Sequence, residues 1–364
     1  MDFFLFLTII VFLILIEMAI PFLVKRTTVF GVFIPDEYVS DQTLTSYKKR
    51  YTLSIFISGI AAVCLFLLWP MNGNSKEELR VLVGTAIQLS LLFISTAIYF
   101  YFHAKTLQRK RLMKWGESLK QVKMTDLTVR SLDAMLPPYI FLLPSIITIG
   151  VIGYTALNYS LLPEQIPTHW GINGKPDAFT AKNQFSAHSL LITLLMMQFM
   201  FFGINEATRR SGIKLSATRL EASRTRQLTL RKYSSWFMLI INVLITMLFV
   251  FFQLQMIHPT IVNSAALMAI PLLFLLIVLV GTALFAYQVG RAGEKVESEG
   301  KNGISDVDDD QYWKGGLFYF NKNDPSFFVE KRFGVGWTIN FANPIGLFII
   351  FVPLIIILII SFLM

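Results

Sequence analysis

Apolar residues in this chain do not alternate with polar ones at the period of a half-buried helix or strand. They come in long blocks, such as 81–102, 188–202 and 345–360. A helix rises about 1.5 Å per residue, so roughly 20 apolar residues match a hydrocarbon core about 30 Å thick. The pattern predicts eight membrane-spanning helices, near 3–24, 53–70, 81–102, 137–159, 188–206, 234–257, 263–288 and 343–363. Between the last two of the central group, His258-Pro259-Thr260 marks a turn, because proline removes a helical hydrogen bond and clashes with the preceding turn. The fold class expected is an all-α polytopic membrane protein, with a small aromatic hairpin-like module in the last cytoplasmic loop, before the final helix.

The polar segments between the spans carry unequal numbers of basic residues. Taken in order, the seven loops hold five, two, eight, two, eight, none and seven of the 32 Lys and Arg. Odd loops therefore hold 28 and even loops four. Basic residues gather on the cytoplasmic side of short membrane loops. A missed or invented helix would scramble the alternation, so the odd loops are expected in the cytoplasm and both termini outside.

Composition agrees with this pattern: 54% hydrophobic, 15% charged against about 25% in ordinary soluble domains, and a mean hydropathy of +0.59. The net charge of +9 sits beside the spans, where anionic inner-leaflet lipids are the expected partner and nucleic acid is not. The single cysteine, Cys64, lies in an apolar run and excludes an internal disulfide or thiolate cluster. Asp2 and the lack of a basic leader favour a retained first span over a cleaved signal. No HExxH, GxSxG or serine–lysine pattern occurs, and His169, His188 and His258 are widely spaced. No enzyme activity, cofactor or metal is expected.

The chain divides into a three-helix region (1–136), a membrane domain with an outer Pro/Gly-rich loop (137–206), a basic loop with helices six and seven (207–290), an acidic linker (291–309), and the aromatic module with the final helix (310–364). The linker is polar and acidic, which predicts a solvated segment. A short echo links Phe30-Gly31-Val32 in the first cytoplasmic loop to Phe333-Gly334-Val335 in the last.

In the outer loop, Pro167 restricts Ile166 to extended geometry, Asn173-Gly174 is a turn signal, and Trp170 suits a membrane interface. His169, Trp170, Asn173 and Asp177 are the candidate external binding residues. Leu162, Pro163, Ile166, Pro167, His169, Trp170, Gly171, Gly174, Pro176 and Asp177 resemble the signature of domain of unknown function 1648, over about 140–205. That domain also opens the sporulation-delaying-toxin immunity proteins of bacteria, which protect a cell from its own membrane-active peptide; some of them hold a transcriptional repressor at the membrane. The resemblance implies a bacterial inner-membrane protein of immunity or stress sensing, with an extracellular peptide and a cytoplasmic regulatory protein as partners. The chain departs from that architecture in its three additional upstream spans and its different C-terminal part.

In the last loop, 317–320 and 327–331 read as strands joined by the turn Asn323-Asp324-Pro325. Trp313, Gly315, Tyr319, Asn321, Asp324, Val329, Arg332, Gly334, Gly336, Trp337 and Asn340 resemble a second module, domain of unknown function 5808, over about 310–345. The resemblance implies no activity. Among intramembrane residues Glu17 stands out, because a carboxyl about 10 Å inside a span is costly. Gln88, Asn158, Asn205 and Asn242 are polar but carry no pattern of their own. The alternative function is a secondary transporter of a small solute or ion, using a polar site near Glu17.

Overall fold

The computed structural model describes residues 2–68, 77–170, 176–260, 264–294, 296 and 303–364. Helix α1 (Asp2–Leu23) leads through a two-stranded turn, β1 (Thr28–Val29) and β2 (Val32–Phe33), into α2 (Gln42–Leu68) and α3 (Glu77–Leu112). Strand β3 (Lys120–Val122) precedes α4 (Leu143–Leu157), followed by the hairpin β4 (Gln165–Trp170) and β5 (Pro176–Ala181). Next come α5 (Gln184–Arg210), α6 (Leu220–Ile257), α7 (Ser264–Gly290) and β6 (Ile304–Asp306). The chain then forms β7 (Trp313–Lys314), β8 (Phe318–Tyr319), β9 (Phe328–Glu330), β10 (Trp337–Ile339) and α8 (Pro344–Leu363).

Among the described residues, eight long helices fall where the apolar blocks predict, and each is long and apolar enough to span a membrane. No more than 28% of the residues in any apolar span are buried within the protein, as suits surfaces solvated by lipid. Several helices outrun their predicted spans, α5 by one turn at each end and three others further: α2 starts at Gln42, α3 continues to Leu112 and α6 starts at Leu220. Hydropathy marks the edge of the bilayer, whereas a helix ends only where a breaker or cap stops it. At α5 such a cap is present. Asn183 Oδ1 accepts from the Ser186 amide at 2.8 Å, and Ser186 Oγ accepts from the Asn183 amide at 2.9 Å. The α8 start pairs Pro344 with Asn343, whose Oδ1 accepts from the Ile345 amide at 3.1 Å.

Helices α1, α2 and α3 pack on one another, as do α4, α5 and α6; α8 lies against α5, and α7 touches both α6 and α1. The odd loops converge on one face. There β3 pairs in parallel with β6, Met124 bridges Leu215, and the Phe328 amide donates to Ser211 Oγ at 3.1 Å. On the opposite face the β4–β5 segment sets Leu162 and Ile166 against Ala187, Met256 and Ile257.

Two expectations for the last loop are corrected. The strand segments near 317–320 and 327–331 exist, but they do not pair with each other. β8 pairs antiparallel with β7, and β9 pairs antiparallel with β10. Gly315 and Gly316, at φ of +59° and +71°, turn the chain within the first pair, while Asn323-Asp324-Pro325 joins the two hairpins. The acidic linker is also not wholly solvated: 304–306 form β6, and Asp308, Asp309 and Asp310 are held by cations from other segments.

Candidate functional site

The α4–α6 unit encloses a seam of polar side chains. Along α6, Ser235, Asn242, Thr246 and Gln253 recur at intervals that keep them on one helix face. Opposite them stand Gln198 and Asn205 of α5, and Thr148 and Thr155 of α4; all eight side chains are buried. Gln198 Nε2 donates to Thr148 Oγ1 and Thr246 Oγ1, both at 2.8 Å, and so joins three helices. Gln253 Nε2 reaches Thr155 Oγ1 at 3.3 Å and the Ala187 carbonyl at 3.1 Å. Asn242 Nδ2 donates to the Phe141 carbonyl at 3.3 Å.

Toward the odd-loop face the seam closes in a satisfied network. Asn205 Nδ2 donates to the Leu136 carbonyl at 3.1 Å, Ser235 Oγ donates to Asn205 Oδ1 at 2.8 Å, and the Leu136 amide donates to Ser235 Oγ at 3.0 Å. Just beyond, the fully buried Arg231 donates twice to Asp133 Oδ2, at 2.8 and 2.6 Å. Two further donors go to the Thr208 and Arg209 carbonyls at 3.0 and 2.8 Å, where α5 ends. At the other end the apolar cluster of Leu162, Ile166, Met256 and Ile257 covers the Gln253 level.

Glu17 lies in the separate α1–α3 unit and accepts from the Tyr51 hydroxyl at 3.0 Å. Tyr51 also packs on Phe30, a residue held at φ +45° in the β1–β2 turn. The Phe30 carbonyl accepts from Tyr99 Oη at 3.3 Å and stands 2.7 Å from His103 Nδ1. No basic group forms an ion pair with Glu17 among the described residues.

On the odd-loop face, buried ion pairs fasten the loops to one another. Arg332 forms ion pairs with Asp309 and Asp310, donates to the Gly31 carbonyl at 2.8 Å, and lies over the Trp313 ring. Lys110 Nζ adds contacts of 2.5 Å to Asp308 and 2.6 Å to Asp310. Burial by itself raises the Asp310 carboxyl, but Arg332 and Lys110 hold it below the ordinary carboxylate range. Glu330 receives Lys25 and Arg226, each at 2.7 Å, and Gln227 at 2.6 Å. Burial likewise pushes Glu330 up, and the two cations bring it below its usual value. Arg226 in addition donates to the Gly290 and Leu23 carbonyls, joining the ends of α7 and α1.

The module residues singled out in the sequence serve this assembly. Asn340 Nδ2 donates to the carbonyls of Asn321, Asp324 and Ser326, while its Oδ1 accepts the Asn321 and Ala342 amides. The Tyr319 hydroxyl donates to Asp324 at 2.8 Å and accepts from Asn321 and Lys214. Trp337 Nε1 donates to Ser234 Oγ at 3.0 Å, tying β10 to α6. Gly334 and Gly336 take φ of +95° and +112° in the β9–β10 turn. Phe333 stacks on Phe30 at 6.0 Å, so the two echoing segments meet in space.

The external candidates fall on the β4–β5 hairpin. His169 Nδ1 and Asp177 Oδ1 are 2.5 Å apart, with side chains 70% and 53% exposed. Trp170 contributes the last backbone position of β4, and Asn173 lies outside the described residues. The other two histidines of this face have separate partners, the Gln184 carbonyl for His188 and the Tyr154 hydroxyl for His258. The seam, Arg231 with Asp133, and Arg226 with Glu330 were missed by sequence reasoning. The spacing of Ser235, Asn242, Thr246 and Gln253 on α6, at intervals of seven, four and seven residues, is a signal that could have found the seam.

Family comparisons fall on two of these regions. Residues 140–196 match the domain of unknown function DUF1648, spanning α4, the hairpin and the first half of α5. Residues 322–347 match the family of unknown function DUF5808, spanning β9, β10 and the start of α8. The second match begins after Trp313, Gly315, Tyr319 and Asn321, and is narrower than the sequence resemblance suggests. No curated protein and no solved structure matches the chain.

Proposed function

We propose that this multi-pass membrane protein binds a small solute or ion within the bilayer and carries it across, with the α4–α6 seam as the route. The observation that supports this is the polar lining itself. Buried polar side chains in a membrane interior are costly and mark solute pathways and proton relays, and here they run along three helices. The seam is closed at both ends, as in a carrier between its two open forms. Glu17, paired with Tyr51, would serve as the titratable group that couples movement to a proton or cation. In this reading the odd-loop face is cytoplasmic, and exposed Lys49, Arg50, Lys105 and Arg111 would meet anionic lipid there.

A second reading, immunity to or sensing of a membrane-active peptide, draws support from the exposed His169–Asp177 pair, which no packing requirement explains. In that case the odd-loop assembly would dock a cytoplasmic regulator.

One set of strains tests both. Full-length protein in proteoliposomes should give a solute-dependent current that Glu17→Gln reduces at normal abundance. Silence toward a broad ion and solute panel overturns transport. A deletion strain selectively sensitive to one peptide, and not rescued by a His169→Ala variant present at normal level, would establish the second reading instead.

A further inference from the structure

The orientation of the amide groups along the seam is fixed by their partners. Thr148 donates its hydroxyl proton to the Pro144 carbonyl at 3.2 Å, and Thr246 donates to the Asn242 carbonyl at 2.7 Å. Both threonines have only lone pairs left to offer, so it is the Gln198 nitrogen that faces them. Asn242 and Gln253 each point their nitrogen at a backbone carbonyl, which accepts and never donates. Each of these amide nitrogens thereby has at least one protein acceptor. The complementary oxygens, Gln198 Oε1, Asn242 Oδ1 and Gln253 Oε1, are buried without a protein donor among the described residues.

Three acceptors on a shared seam define what it prefers. Along α6 the levels of Asn242, Thr246 with Gln198, and Gln253 extend over about 16 Å at 1.5 Å per residue. No Asp, Glu, Lys or Arg occurs in 143–157, 184–205 or 233–257, so the lining is neutral and its dipoles set the selectivity. Ser145, whose hydroxyl is also buried without a partner, can rotate to present a lone pair. Neutral carbonyl oxygens replace the hydration shell of a cation, whereas an anion would meet the negative ends of the same dipoles.

We propose, building on the transport reading above, that the solute is a small monovalent cation, which meets the side-chain amide oxygens of Asn242, Gln198 and Gln253 in succession along the seam. Alkali cations and ammonium-type cations share this chemistry, and the experiment separates them.

Purified full-length protein is reconstituted into liposomes, and uptake of radiolabelled rubidium, sodium and methylammonium is compared with that of chloride and glycerol. Uptake of at least one cation, and of neither chloride nor glycerol, is expected. Gln198→Leu and Gln253→Leu keep side-chain volume but remove the acceptors, and each should slow that uptake about tenfold. Movement of chloride or glycerol without any cation overturns the cation assignment and leaves transport standing. Movement of none of the five solutes overturns this inference, and the transport reading falls with it only when the broader panel is silent too. Unchanged cation uptake in both variants overturns the role of the amide oxygens. If neither variant reaches the membrane, the wild-type protein gives the answer. Its unfolding temperature in detergent should rise with rubidium, sodium or methylammonium chloride relative to tetraethylammonium chloride at equal ionic strength. No rise overturns the proposal.

Discussion

Arg231 shows how single residues in this protein acquire meaning from distant partners. Its guanidinium is wholly buried, and its donors are divided between Asp133 and two carbonyls at the end of α5. Removing one member of such a pair leaves an uncompensated buried charge and costs roughly 3–5 kcal/mol, whereas replacing both with apolar residues is far milder. Asp133→Ala should therefore lower the unfolding temperature in detergent sharply, and the Asp133→Leu/Arg231→Met double variant should recover most of the loss. A double variant no better than Asp133→Ala would refute that account. Nothing in the sequence separates Arg231 from the neighbouring Lys232, which is exposed. Likewise Asn205 and Asn242 read as isolated polar residues, because their partners lie in segments distant in sequence. Glu17 was legible from its own position, since one carboxyl within an apolar block is conspicuous without any partner.

At the scale of elements, the odd-loop assembly depends on short strands and carboxylates held by cations. A close approach sets its geometry: a Cβ on Gly31 would lie 2.7 Å from Gly316 Cα, so at this point the first and last loops approach closely only because both residues are glycines. Asp324 sits between the two hairpins. Burial pushes its carboxyl up, but Lys214 and the Ser326 amide hold it down, from an ordinary 3.8 to about 2. A carboxylate depressed in the folded state contributes stability that is present above its unfolded value and lost as pH falls through the folded one. Asp310 and Glu330 shift in the same direction, against their burial, through Arg332 with Lys110 and Lys25 with Arg226. The unfolding temperature should accordingly hold steady from pH 7 to about 5 and fall between about 4 and 2. Asp324→Asn should remove part of that slope and up to roughly 2 kcal/mol at neutral pH. An acid profile identical in the variant would show that Asp324 takes no part. The hairpins were visible as aromatic segments, yet their pairing was not, because runs of two or three residues fit several registers and only the surrounding loops select one.

For the whole molecule, two independent observations describe the same sidedness. Basic residues concentrate in the odd loops, and those loops also pack together on one face, with the β4–β5 hairpin on the other. The proposed cytoplasmic position of the odd-loop face predicts a labelling result. In a Cys64→Ser background, Asp177→Cys should react with an impermeant maleimide in intact cells, and Lys322→Cys only after permeabilisation. The opposite pattern would reverse the orientation while leaving the packing unchanged. Such a reversal would also remove the argument for anionic lipid at the ends of α2 and α3.

By itself the sequence determined the number of spans, their order and the alternation of their loops. Those properties come from local hydropathy and charge, which act over about 20 residues and need no knowledge of neighbours. Tertiary structure decided how far α2, α3 and α6 continue beyond the bilayer, which strands pair, and which acids hold which bases. It also decided that Gln198, Asn242 and Gln253 share one seam and keep their amide oxygens buried without a protein donor among the described residues. Those outcomes depend on contacts between residues tens to hundreds of positions apart, where hydrogen-bond geometry within the packed helices, and not composition, fixes the arrangement.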